Sequence, residues 1–124
     1  MQIRKEQMKT LGDCMLQEFE DSMVAHVEKF FPGQHATMRE AGVREIVRHG
    51  IERAEKYNII SERDVCKYID VMFVYGRDFD VNPKLPWAIR ILNDRRPQEP
   101  SERVNRLCRE VMERQGIGGG NCGS

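Results

Sequence analysis

The sequence predicts an all-α protein, a single-domain bundle of about five helices with the third at its centre. Three observations carry this. Apolar residues recur at steps of three and four along most of the chain, the period of an amphipathic helix. No stretch of convincing length alternates at period two, as a half-buried strand would. The run Tyr68 to Tyr75 is apolar apart from Asp70, and a helix apolar nearly all round belongs in the middle of a bundle. A length of 124 residues makes one domain with room for a real core.

The first helix is expected from about Arg4 to Phe31, on the stripe Met8, Leu11, Met15, Phe19, Met23, Val27 and Phe30. Gly12 is a weak point in it, costing about 1 kcal/mol against alanine. Pro32 and Gly33 in "FPGQ" end it. A second helix runs from Thr37 or Met38 to Lys56 and buries Val43, Ile46, Val47, Ile51 and Ala54. Gly50 lies on that same face, where it admits close approach of another helix. The third helix has the clearest start: Ser61 is an N-cap with Asp64 three residues on, and Ile60 and Val65 hold the staple positions. Gly76 fits a left-handed position closing it.

A short fourth helix follows from Pro86 to Asn93, docked by Trp87, Ala88 or Ile89, Ile91 and Leu92. "DRRPQEP" breaks the pattern. Ser101 then caps a last helix to Gln115, striped by Val104, Leu107, Cys108, Val111 and Met112. Residues 1–94 thus form the bundle core, 95–116 a linker and C-terminal helix of the same domain, and 117–124 a disordered glycine-rich tail.

Twenty basic residues balance twenty acidic ones, so no global field draws in nucleic acid or anionic lipid. The opening "MQIRKEQMKTLGD" has no apolar h-region, and the longest wholly apolar run, Val71 to Tyr75, is too short to cross a bilayer. The expected location is the cytoplasm, or export with a secretion cargo. Cys14, Cys66, Cys108 and Cys122 include no C-x-x-C. The first three read as small core hydrophobes, while Cys122 sits in the tail.

Asp78, Asp80 and Asn82 reproduce the opening ligands of an EF-hand loop, but Pro83 and Ile89 stand where glycine and the bidentate glutamate are needed. The pair Asp78 and Asp80 would need a pocket separating their pKa values to act as acid and base. The simpler expectation is an Asx-type turn between helices, with Phe79 turned inward as an anchor. Glu45, His49 and Glu52 share one helix face, yet no second Glu-x-x-His accompanies them. His26 and His35 have no ligand-spaced partner. There is no G-x-S-x-G, P-loop or H-E-x-x-H. No catalytic residue, cofactor or metal site is expected.

The stretch "YNIISERDVCKYIDVMFVYGRDFDVNPKLPWA", Tyr57 to Ala88, resembles a group of small helical bacterial proteins associated with genes for type VI secretion spike proteins and effectors. The shared pattern is a tyrosine and short linker, E-R-D-V, an apolar helix ending in glycine, F-D, and P-W-A. "MQIRKEQM" and "FEDSMVAHVEKFFP" also resemble that group's first helix, so the likeness reaches about residue 93. That group has no catalytic motif. The resemblance implies a non-enzymatic protein–protein interaction module, an accessory, adaptor or chaperone-like partner of a secreted effector. An immunity protein blocking a toxin is the alternative, although zero net charge gives no sign of the acidic surface that would suit a basic nuclease toxin. From another class, a metal-binding bundle would use Glu45, His49, Asp78 or Asp80. Candidate contact residues are the aromatics Phe79 and Trp87 and, on the last helix, Arg103, Arg106, Leu107 and Val111. The same stripe equally suits the bundle's own core.

Overall fold

The computed structural model describes residues 13–94 and 99–115, with side chains from Gln17 onward. Five α-helices lie among them: α1 (Asp13–Phe30), α2 (Pro32–Lys56), α3 (Glu62–Tyr75), α4 (Pro86–Asn93) and α5 (Pro100–Gln115). A short 3-10 turn, Phe79–Val81, joins α3 to α4. No strand occurs among the described residues. The expectations for residues before Asp13, for 95–98 and for the tail with Cys122 lie outside them, as does the one for the Cys14 side chain. No helix searched is long and apolar enough to cross a membrane.

Pro32 does more than end the first helix. It takes the first position of α2, where a missing N–H and a fixed φ are harmless. The short run it starts breaks at Arg39, whose φ of 63° and ψ of 176° are not helical. The second helix therefore begins at Pro32, with a kink, rather than at Thr37 or Met38. Gly42 helps the chain recover, because a Cβ there would lie 3.0 Å from Met38 Cβ.

The α1–α2 pair is fastened by a buried carboxylate. Glu20 accepts Arg48 Nε at 2.6 Å and Arg44 Nη1 at 3.2 Å. Arg44 also reaches Asp21 at 2.6 Å and Glu40 at 3.0 Å. The bonds to Glu20 push the Arg48 guanidinium above its ordinary pKa.

α3 is the central helix. Nine of its fourteen residues are buried, including Tyr68, Ile69, Val71 and Phe73, and it packs on α2, α5 and the 3-10 turn. Ser61 caps it by accepting the Asp64 N–H at 3.2 Å. The Asp64 carboxylate turns instead to α5, where it accepts the Ser101 hydroxyl at 2.5 Å. Ser101 is accordingly no N-cap: Pro100 already occupies the first turn of α5, and the Glu99 carbonyl accepts the Glu102 and Arg103 N–H groups. Gly76 closes α3 with φ 111° and ψ 159°, its N–H on the Met72 carbonyl at 2.7 Å. That conformation is extended rather than left-handed helical, but it is equally one that glycine alone adopts readily.

Candidate functional site

Most of the residues expected to meet a partner are inside the bundle. Phe79 and Leu107 are fully buried, as nearly are Val111, Trp87 and Arg103. Phe79 packs on Tyr68 with ring centroids 5.0 Å apart. Trp87 meets Tyr75 edge-on at 5.4 Å, and the Arg114 guanidinium covers it at 4.7 Å. Arg103 points inward, donating Nη1 to the Leu92 carbonyl and Nη2 to the Tyr57 carbonyl, both at 2.6 Å. Those carbonyls belong to the C-terminal ends of α4 and α2, where a cation and extra donors are stabilising. Arg106 stays half-exposed and pairs with Asp94 at 3.0 Å.

The last helix is thus part of the core rather than a displayed stripe. Its further ties to α3 run along the whole helix: Lys67 Nζ donates to Asn105 at 2.8 Å, and Gln115 donates to the Tyr75 hydroxyl at 2.8 Å.

The acidic loop divides into three different fates. Asn82 accepts the Lys84 N–H at 2.9 Å, the expected Asx turn. Asp80 does not turn the chain but is buried against α2. There one oxygen accepts Arg53 Nε at 3.0 Å, its Nη2 as well, and the Tyr57 hydroxyl at 2.9 Å. Burial and that carboxylate push the Tyr57 phenol up to about 12. Burial and the nearby Asp80 charge also drive the Tyr68 phenol well above its usual range. Asp78 is exposed, with one oxygen 3.4 Å from His49 Nε2. Glu45 and Glu52 are exposed, so the α2 face weighed as an alternative metal site does not converge.

A different cluster forms where α1 meets α3. His26 Nε2 lies 2.7 Å from Asp70 Oδ1. Cys66, one turn before Asp70 on α3, joins them: one donor atom from each of the three residues lies within 4.8 Å of the others. Among the described residues this is the one group of three ligand-type side chains so placed. Asp70 is buried, while His26 and Cys66 are half-buried. Phe30 and Val74, 39% and 37% exposed, follow one turn later on α1 and α3. The Phe30 ring sits 4.7 Å from that of His26. The sequence did hold a signal, the four-residue spacing of Cys66 and Asp70 on one helix face, but the histidine that completes the group is 44 residues from Asp70.

Known family models, curated proteins and solved structures contain no match to this chain.

Proposed function

We propose that the protein works by contact, as a non-enzymatic accessory or adaptor of a secreted effector of the type VI kind, and that the α1–α3 seam carries the contact. The observation that supports this is the pair Phe30 and Val74, large apolar side chains left exposed one turn beyond His26 and Asp70. His26 meets Asp70 and Phe31 stacks on Phe73, which sets Phe30 and Val74 next to one another along the two helices. Core packing accounts for the other candidate anchors, Phe79 and Trp87, and exposed apolar side chains at a helix seam suit a partner surface.

The segment that carries the resemblance is consistent with this. Its distinctive residues do architectural work: Tyr57 bonds Asp80, Ser61 caps α3, Gly76 ends it, and Phe79, Trp87 and Ala88 fill the core. Such a pattern marks a shared scaffold and leaves recognition to the surface.

The test is a tagged pull-down from the source cell, read by mass spectrometry, with three forms of the protein. Wild type and Val81→Asp, a change on the exposed 3-10 turn, should both recover an effector or spike component. The double variant Phe30→Asp/Val74→Asp should lose it while keeping its helical circular dichroism. Recovery of no secretion component by wild type, or equal recovery by all three forms, rejects the proposal. Neutralisation of a toxin by this protein alone would replace it with the immunity reading.

A further inference from the structure

We infer that the α1–α3 seam is a binding site for a divalent transition metal, zinc by its donor set, held by His26, Cys66 and Asp70. The three side chains offer an imidazole nitrogen, a thiol sulfur and a carboxylate oxygen within 4.8 Å of one another. That combination selects zinc or a similar borderline ion over calcium or magnesium, which prefer oxygen alone. Two ligands come from α3 at i and i+4, and the third from α1, whose His26 reaches Asp70.

The dimensions suit a tetrahedral ion. Zinc binds nitrogen at about 2.0–2.1 Å, oxygen at about 2.0–2.2 Å and sulfur at about 2.3 Å, which places donor atoms roughly 3.3–3.6 Å apart. The His26–Asp70 separation falls just below that range, and the others are no more than 4.8 Å. His26 Nε2 and Asp70 Oδ1, now 2.7 Å apart, are at hydrogen-bond distance. An ion entering between them replaces the shared proton and moves them apart by roughly 0.6 Å, a rotamer-scale adjustment. The Cys66 thiol gives up its proton on the same event, so binding releases protons.

Three protein ligands leave a fourth position. The half-exposure of His26 and Cys66 gives that position to solvent, the arrangement of an open zinc site rather than a closed structural one. Phe30, its ring tilted at 46° to that of His26 with centroids 4.7 Å apart, packs beside the imidazole and helps hold its orientation. Asp70 has His26 as its partner in this structure, and an ion would add a fixed positive charge beside that carboxylate. Asp70 is the one polar residue in the apolar run from Tyr68 to Tyr75, and a buried carboxylate is unfavourable unless a cationic partner meets it.

The decisive measurement is titration of the purified, chelator-treated full chain with zinc by calorimetry and with cobalt by absorption spectroscopy. One ion per chain is expected, with a thiolate-to-cobalt charge-transfer band. Cys66→Ser should abolish the band, and Asp70→Asn and His26→Gln should each weaken zinc binding at least about tenfold. Cys122→Ser should change neither. A variant-free readout accompanies these: saturating zinc should slow iodoacetamide labelling of Cys66, mapped by mass spectrometry, and leave Cys122 unaffected. Absence of saturable binding overturns the inference, as does a band that survives Cys66→Ser or unaltered labelling of Cys66. None of these outcomes depends on whether the seam also meets an effector.

Discussion

Replacing Gly50 with alanine puts one methyl group into the tightest contact between α2 and α3. Its Cβ would stand 2.6 Å from Ile69 Cγ1, 2.9 Å from Met72 Sδ and 3.3 Å from Ile69 Cδ1. Comfortable carbon–carbon contact is about 3.5–4.0 Å, so Ile69 must yield by nearly an ångström. Met72 can swing its thioether, but Cγ1 lies next to the branch point of a fully buried side chain and has no such freedom. Two effects oppose one another. Alanine in a helix interior gains about 1 kcal/mol over glycine, while overpacking a core costs about 1–3 kcal/mol. The severity of the Cγ1 clash puts the cost at the upper end, for a net loss of about 1–2 kcal/mol. At about 2.1 cal/mol/K of unfolding entropy per residue, that lowers Tm by about 4–8 °C. The assay is thermal unfolding followed by far-ultraviolet circular dichroism. Gly33→Ala serves as the control, because a Cβ there meets nothing within 4 Å; it should leave Tm unchanged or raise it slightly. Adding Ile69→Ala to Gly50→Ala should cost less than the two single changes summed, because the clash disappears with the isoleucine. If Gly50→Ala unfolds at or above the wild-type temperature, the two helices do not meet as described.

Arg103→Lys keeps the charge but loses the fork that spans the Leu92 and Tyr57 carbonyls; urea unfolding should show a loss of about 1.5–3 kcal/mol. A lysine variant as stable as wild type would mean the fork matters little. At Arg39, φ 63° with ψ 176° is a conformation for which a non-glycine residue is penalised by about 1–3 kcal/mol. Arg39→Gly should therefore stabilise by about 1 kcal/mol after glycine's own entropic cost, and Arg39→Ala should not; equal midpoints for the two would disprove the strain. In alkali, the neutral form of Tyr57 is favoured by the fold, its pKa rising from 10.0 to about 12 through burial and the Asp80 bond. Stability from this source is complete below about pH 10 and drains away as pH climbs toward 12; Tyr68, shifted the same way, adds to it. Melting curves from pH 8 upward, with Tyr57→Phe and Tyr68→Phe alongside, check the assignment, which fails if the double phenylalanine variant shows the same alkaline loss.

Features set by neighbours in the chain were legible before the fold was. The cap at Ser61, the stop at Gly76, the bounds of α4 and the small residue at Gly50 each follow from local stereochemistry or a helical period. Features joining distant segments were not. Arg53 meets Asp80 across 27 residues, Arg103 meets the Tyr57 carbonyl across 46, and His26 meets Asp70 across 44. Periodicity says which side of a helix is wet or dry, but it does not name the residue opposite. For the same reason the stripe Leu107, Cys108, Val111 was ambiguous between a partner's surface and the protein's own interior. The kink at Arg39 left no trace at all, since arginine has no preference for positive φ and only the packing of two helix segments imposes it. Ser101 misled for a simpler reason: Pro100 starts the helix one residue earlier and frees the hydroxyl for Asp64.

The Arg103 clasp bears on how the chain is made. It ties the ends of α2 and α4 together from α5, a helix made after both. A nascent chain that has emerged only through α4 holds two bare helix ends and an uncovered flank of α3, which Val104, Leu107 and Val111 will later fill. Closure waits for α5, so a ribosome stalled before it presents an open, sticky intermediate to whatever binds unfinished chains.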